Sequence, residues 1–324
     1  MKRNILFISR IGGVNGWGNY YRLRYVANLL NKKQFNIFFF IETSNKDFKE
    51  FDKGFNTFLF NYSVNDFKKS LSIIKSISPE IISCEVYKLP FYKQLIYKRL
   101  TSRLIIFDDI YSTRNYNCDV FIACQKFKKP KDFGFINAKE IYEGYKYFPI
   151  SKDLIKVRNN IKKKNKNILL SLGGGNYLNL YLRIIRILKE KKKLFNNLIV
   201  CCKGDLELKS SNTDTFIKIR TNQKNVYKEM NNSNLSIVSG GYHKIEANYL
   251  GNNCIAIATN DHQICLLKQF KSYSNIVYLS YNDKFFDLQL SKLIDKILLK
   301  DKLFIQNKFI SEKNNEFYTK ELYT

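Results

Sequence analysis

Short runs of β-branched and aromatic residues alternate with helix-like patterns from one end of this 324-residue chain to the other. That rhythm is the signature of parallel βαβ units. In the first half, strands are expected at Asn4–Ser9, Asn36–Ile41, Thr57–Asn61, Glu80–Glu85, Leu104–Phe107 and Val120–Ala123. Helices fall between most of them. Asn19–Leu30 carries Tyr21, Tyr25 and Leu29 on one face, and Phe67–Ile77 carries Phe67, Leu71 and Ile74 in the same way.

From Lys126 to Lys166 the pattern loses its period, with Lys-Lys-Pro-Lys at 128–131 and Phe148-Pro149. The alternation restarts at Asn167-Ile168-Leu169-Leu170-Ser171-Leu172. Composition and proline placement make the stretch a connector. The expected division is an N-terminal domain over 1–125, a connector over 126–164 and a C-terminal domain over 165–324. The second half repeats the scheme, with strands at Ile168–Leu172, Leu198–Cys202, Phe216–Arg220, Leu235–Ser239, Cys254–Ala258 and Ile276–Leu279, followed by long terminal helices. Asp283–Leu299 is amphipathic through Phe286, Leu290, Leu293 and Ile297. The expected fold class is α/β, with two Rossmann-like, doubly wound domains facing a cleft at the carboxyl ends of their strands.

Composition narrows the partners. Hydrophobic residues at 45% supply a sizeable core and exclude disorder as the main state. No apolar run approaches the roughly 18 residues a membrane span needs. The apolar stretch after Met1-Lys2-Arg3-Asn4 ends at Ser9-Arg10, too short for a signal peptide and suited to a buried strand. No pair of the seven cysteines has zinc-site spacing, and Cys201-Cys202 sit in an apolar run as small buried thiols, so a reducing cytoplasm fits. The net charge of +27 comes from lysines spread along the whole chain. It reads first as solvated surface and second as attraction to an anionic membrane surface, which would make the protein peripheral at the inner membrane face. Nucleic acid is disfavoured, because no RNA- or DNA-binding motif is present.

Three glycine-bearing loops follow expected strands and open helices. The first is Gly12-Gly13-Val14-Asn15-Gly16-Trp17-Gly18-Asn19, which lacks the dinucleotide-binding spacing; a tight strand-to-helix turn explains it as well as a phosphate site does. The second is Ser171-Leu172-Gly173-Gly174-Gly175-Asn176, in the corresponding place of the second half. The third is Val238-Ser239-Gly240-Gly241-Tyr242-His243-Lys244-Ile245-Glu246. A glycine pair there presents amides to a diphosphate. Glu246, one turn on, either accepts hydrogen bonds from vicinal ribose hydroxyls or serves as a favourable helix-dipole charge.

Taken in order, Gly16-x-Gly18, Phe107-Asp108-Asp109, Cys118-Asp119-Val120, Gly173-Gly174, Gly240-Gly241 with Glu246, and Asp261-His262-Gln263 form a sequential set. The set resembles the family of the pseudaminic-acid-pathway UDP-sugar hydrolase and the spore-coat polysaccharide glycosyltransferase-like proteins, itself similar to MurG-type glycosyltransferases of the GT-B fold. The resemblance runs from Met1 to about Phe270. It implies a nucleotide sugar, UDP-linked, held mainly by the C-terminal domain, with no cofactor and no required metal. It also implies that Gly240 and Gly241 meet the diphosphate and Glu246 the ribose, while His262 and Gln263 approach the sugar or diphosphate. Gly16 and Gly18 would face the sugar from the other domain, and Arg22 matches an arginine of the same helix among the binding residues.

The family motif Gly-x-Gly-His has Asn19 where the histidine stands. Asparagine cannot take a proton from water or from an acceptor hydroxyl. Asp108 and Asp109 are the remaining candidate bases, either of them able in principle to deprotonate an incoming hydroxyl, with Asp109 alternatively capping a turn. His243 is a candidate for neutralising charge on the leaving group. The expected activity is transfer of a sugar from a nucleotide sugar to a sugar or lipid-linked acceptor in surface polysaccharide or glycan biosynthesis. The alternatives are the hydrolase, or a non-catalytic nucleotide-sugar-binding relative.

Overall fold

A computed structural model describes residues 2–12, 17–43, 54–61, 63–125, 129–159, 165–175, 177–202, 214–221, 226–271, 274, 276–299 and 310–323. The chain divides into two compact units, Met1–Ser151 with Glu312–Thr324, and Lys152–Ser311.

The first unit is built on β1 (Arg3–Ile11), β2 (Phe35–Thr43), β3 (Asn56–Phe60), β4 (Ile81–Glu85), β5 (Arg103–Phe107), β7 (Val120–Ala123) and β9 (Glu140–Glu143). These lie side by side in the order β3-β2-β1-β4-β5-β7-β9, every neighbouring pair parallel. A two-stranded ribbon of β6 (Tyr116–Asn117) and β8 (Ile136–Asn137) lies apart. The central strands are apolar on both faces, as a parallel sheet covered on both sides requires. One face buries Leu6, Ile8, Phe40, Ile82, Leu104 and Ile106 with Ile74 of α2 (Val64–Ile77) and Tyr97 of α3 (Phe91–Arg99). On the other face Phe7 stacks on Phe39 at 5.1 Å, and Tyr20 of α1 (Gly18–Leu29) meets Phe39 at 5.9 Å.

The second unit repeats the plan. Its strands β10 (Asn165–Ser171), β11 (Asn197–Cys202), β12 (Ile217–Thr221), β13 (Ser233–Ser239), β14 (Asn253–Ala258) and β15 (Val277–Ser280) are parallel in the order β12-β11-β10-β13-β14-β15. After α4 (Lys152–Asn159), its helices are α5 (Leu178–Glu190), α6 (Tyr227–Asn231), α7 (His243–Tyr249), α8 (Asp261–Lys271) and α9 (Phe286–Leu299). Ile184 and Leu188 of α5 pack with Phe286, Leu290 and Ile294 of α9 over Ile168, Leu198 and Leu235. Each sheet reverses its winding between its first and fourth strands in sequence, at β1/β4 and at β10/β13. In open α/β sheets a ligand crevice forms at such a reversal, outside the strands' carboxyl ends.

Four expectations change. The stretch read as a connector is divided: its residues up to Ser151 belong to the first unit, where β9 extends the sheet, and α4 begins the second. Glu140-Ile141-Tyr142-Glu143 is an edge strand with Ile141 and Glu143 exposed and Glu140 and Tyr142 half-buried, so it lacks the apolar run of the inner strands. Rather than ending in long helices of the second unit, the chain runs back to the first through a short helical segment, α10 (Asn314–Glu316), that continues to Leu322. There Tyr318 stacks on Phe107 and the Tyr323 hydroxyl meets that of Ser83 at 2.7 Å. Finally, α1 buries Tyr20, Leu23, Val26 and Ala27, and the Tyr21/Tyr25/Leu29 stripe is only half-buried. Among the described residues no helix is long and apolar enough to cross a membrane.

Candidate functional site

In the second unit, the β10/β13 reversal brings two of the three glycine loops together. Gly173, in the left-handed region at φ +83°, and Gly241 each place the position of a Cβ 3.6 Å from Ser239 Oγ. Gly240 is required by close approach instead: a Cβ there would lie 2.8 Å from Leu267 Cδ1 and 3.0 Å from Gln263 Cβ. Its N–H is spent inside the fold, on Ile257 O at 2.8 Å and Gln263 Oε1 at 3.2 Å. Of the glycine pair expected to meet a diphosphate, only Gly241 therefore keeps an amide for it. The Gly241 N–H donates no hydrogen bond among the described residues.

Gln263 is positioned by its own helix start, where Asn260 Oδ1 accepts its N–H at 3.0 Å. Its Oε1 collects the Thr259 N–H at 3.1 Å, the Thr259 hydroxyl at 3.2 Å and the Gly240 N–H. Three donors on one atom fix the amide's orientation. The Nε2 group donates no hydrogen bond among the described residues and remains available to an oxygen-rich ligand. The Thr259 hydroxyl oxygen also pairs with the Tyr177 hydroxyl at 3.1 Å, tying the end of β14 to the Gly173 loop.

Glu246 is buried, 3% exposed, one turn into α7. The Tyr227 hydroxyl of α6 donates to its Oε1 at 2.9 Å, and His243 Nε2 lies 3.8 Å from its Oε2. His243 Nδ1 is buried without a hydrogen-bond partner. Lys244, between them in sequence, is fully buried, with its ammonium on Gly240 O at 2.8 Å and Gly241 O at 3.0 Å. Gly173, Gly240, Gly241, His243, Glu246 and Gln263 thus gather at one end of this sheet. Gly174 and His262 are exposed.

The first unit treats its site candidates differently. Arg22, 1% exposed, clamps Glu85 at the end of β4 through Nε at 2.8 Å and Nη2 at 2.5 Å. It reaches Asp109 Oδ2 through Nη1 at 2.6 Å, and the Gln125 side chain and N–H donate to the same carboxylate at 2.9 and 3.1 Å. Asp108 accepts the Ile110 and Ser112 N–H groups at 3.0 Å each, the Ser112 hydroxyl at 2.5 Å and the Tyr116 hydroxyl at 2.9 Å. Burial pushes the Asp108 carboxyl above its ordinary value, against those hydrogen bonds, which pull it down. Arg22, expected among the binding residues, is buried against Glu85 and Asp109, and the turn-forming role weighed for Asp109 falls to Asp108. Glu85 and Gln125 complete this network. A carboxylate ending the apolar run Ile81-Ile82-Ser83-Cys84 was the available signal for Glu85. Gly18 and Asn19, half-buried, open α1, and Gly16 lies outside the described residues.

Six of the cysteines are buried and all seven are free; burial pushes the Cys201 thiol up to about 12. Among the described residues no group of three His, Cys, Asp or Glu side chains is arranged to hold a metal ion.

No protein-family model matches the sequence. A protein of Methanocaldococcus jannaschii described as uncharacterized is 27% identical over 267 residues, 76% of this chain and 54% of the relative. The chain therefore spans about half that relative's length. Among solved structures, MurG of Acinetobacter baumannii is similar over 98% of this chain and 96% of its own, with TM-score 0.61 and 12% identity. The spinosyn rhamnosyltransferase SpnG, solved with thymidine diphosphate, is similar over 93% and 92%, with TM-score 0.60 and 10% identity. HepE of Anabaena, solved with UDP and glucose, is similar over 97% and 95%, with TM-score 0.56 and 13% identity. Together with the two parallel sheets, these likenesses establish the GT-B fold, two Rossmann-like units in one chain.

Proposed function

We propose that this protein is a GT-B-type glycosyltransferase that draws on a nucleotide-diphosphate sugar, UDP-linked, and holds it on the second unit. The observation carrying this reading is the set at the β10/β13 reversal: Gly241 N–H and Gln263 Nε2, which donate no hydrogen bond among the described residues, with the buried carboxylate of Glu246 one turn into the helix that follows Gly241. A ribose offers hydroxyls to the carboxylate and a diphosphate offers oxygens to the two donors. The solved relatives named with thymidine diphosphate and with UDP and glucose support the same class of donor.

Chemically, the leaving diphosphate gains from fixed donors aimed at developing charge, with His243 beside them. Asn19 has no proton-accepting group where the resembled hydrolases carry histidine, which removes that base for water and for an acceptor hydroxyl alike. Asp108 and Asp109 are each engaged by several donors inside the first unit, so an acceptor hydroxyl would have to displace a formed hydrogen bond to reach either.

Calorimetric titration of the whole chain with UDP, with CMP and GDP as controls at moderate salt, tests the donor. Saturable binding of UDP alone is expected, and binding of none of the three removes the donor reading. The Glu246→Ala variant should bind UDP roughly tenfold or more weakly, the loss of hydrogen bonds to a charged group. Unchanged affinity would take the ribose role away from Glu246.

A further inference from the structure

The most buried charge at the glycine turn belongs to a side chain with no role so far. Lys244 is 0% exposed, packs its ammonium 5.4 Å from the Phe270 ring centroid, and donates to two successive carbonyls, Gly240 O and Gly241 O. Resting on the donor reading above, we propose that Lys244 is a positioning residue: it sets the peptide planes of the Gly240–Tyr242 turn so that backbone amides face a diphosphate.

The argument is one of peptide geometry. Across a planar trans peptide, the C=O of one residue and the N–H of the next point in opposite directions. With the Gly240 and Gly241 carbonyls both drawn onto the buried ammonium, the N–H groups of Gly241 and Tyr242 are turned to the side away from it. A diglycine step is otherwise free to rotate, because glycine populates both signs of φ. Gln263 holds the other end of the same unit by accepting the Gly240 N–H, so the Gly240 residue is gripped at its amide and at its carbonyl by two side chains. Against this fixed frame, Gly241 keeps an N–H that meets no partner among the described residues. A cationic grip on carbonyls also lends those peptides positive character at their far ends, which favours an anion there. An arginine could make the same two-carbonyl contact; a methionine of similar length could not.

The experiment compares UDP with uridine on the wild-type chain and on Lys244→Met and Lys244→Arg. A positioning role predicts that Lys244→Met weakens UDP roughly ten- to a hundredfold while uridine affinity stays within about twofold, and that Lys244→Arg restores most of the UDP affinity. Equal loss of UDP and uridine would mean that the lysine only holds the unit together, and overturns the proposal. Unchanged UDP affinity in Lys244→Met overturns it too, leaving the donor reading intact. Amide exchange of the wild-type chain keeps the test open if Lys244→Met does not fold. Gly241 N–H protection rising with UDP but not with uridine supports the proposal, and protection indifferent to bound UDP refutes it. Wild-type protein that binds no UDP overturns the donor reading, and the role of Lys244 falls with it.

Discussion

The two units share a strand order and a winding reversal, yet they treat the polar groups at that reversal in opposite ways. In the first, Arg22 is consumed by Glu85 and Asp109, and Asp108 is surrounded by four donors. In the second, Lys244 sets its ammonium on two carbonyls, and Glu246 accepts the Tyr227 hydroxyl with His243 Nε2 3.8 Å away. Buried ions that neutralise one another brace a fold and have little left to offer a ligand. In the second unit the Gly241 N–H and Gln263 Nε2 donate no hydrogen bond among the described residues. The topology places a reversal in both units, and the proposed donor site rests on the groups of the second that keep hydrogen-bond donors.

The contrast can be broken most forcefully at Arg22. Arg22→Met takes the cation away from two buried carboxylates and should cost about 3–5 kcal/mol in urea unfolding, with UDP affinity of the folded protein unchanged. A cost under about 1 kcal/mol would mean that the first unit's charges are as loosely committed as the second's. Next in size is the glycine pair. Gly240→Ala must push aside Leu267 and Gln263 and should destabilise by about 1–3 kcal/mol, whereas Gly241→Ala, with only an ordinary contact to Ser239 Oγ, should stay within about 0.5 kcal/mol. Equal effects in thermal unfolding would erase the distinction between a packed glycine and an available one.

The smallest effect is a pH dependence at Asp108. Burial raises its folded value above the unfolded one, so its contribution to stability is complete at low pH and is lost as pH rises through the folded value. Relative to Asp108→Asn, the wild type should therefore gain unfolding free energy as the pH is lowered through that range. A flat difference in a urea series would show that Ser112 and Tyr116 already offset the cost of burial.

Much of this was legible beforehand, for reasons particular residues make plain. Strands such as Ile5–Ile8 and Leu235–Val238 are buried on both faces, and a continuous apolar run has few other meanings inside an α/β alternation. The helix Phe91–Arg99 was not legible, because it buries Lys93, Gln94 and Tyr97, and an apolar stripe was the signal sought. At the proposed site, Gly240, Gly241 and Glu246 stand out in the sequence by their order after an expected strand. Lys244 did not, since one lysine in a chain with 55 lysines and arginines reads as solvated surface. The resemblance sets Arg22 among the binding residues, whereas its contacts with Glu85 and Asp109, 63 and 87 residues downstream, are invisible in the sequence.

The return of residues 312–323 to the first unit has a consequence for synthesis. The partners of Phe107 and Ser83, Tyr318 and Tyr323, leave the ribosome only after every residue of the second unit has been made. The usual order of vectorial folding, amino-terminal unit first, is thereby inverted at its last step. The later-made unit can close while the earlier one still waits for the tyrosines that seal its sheet.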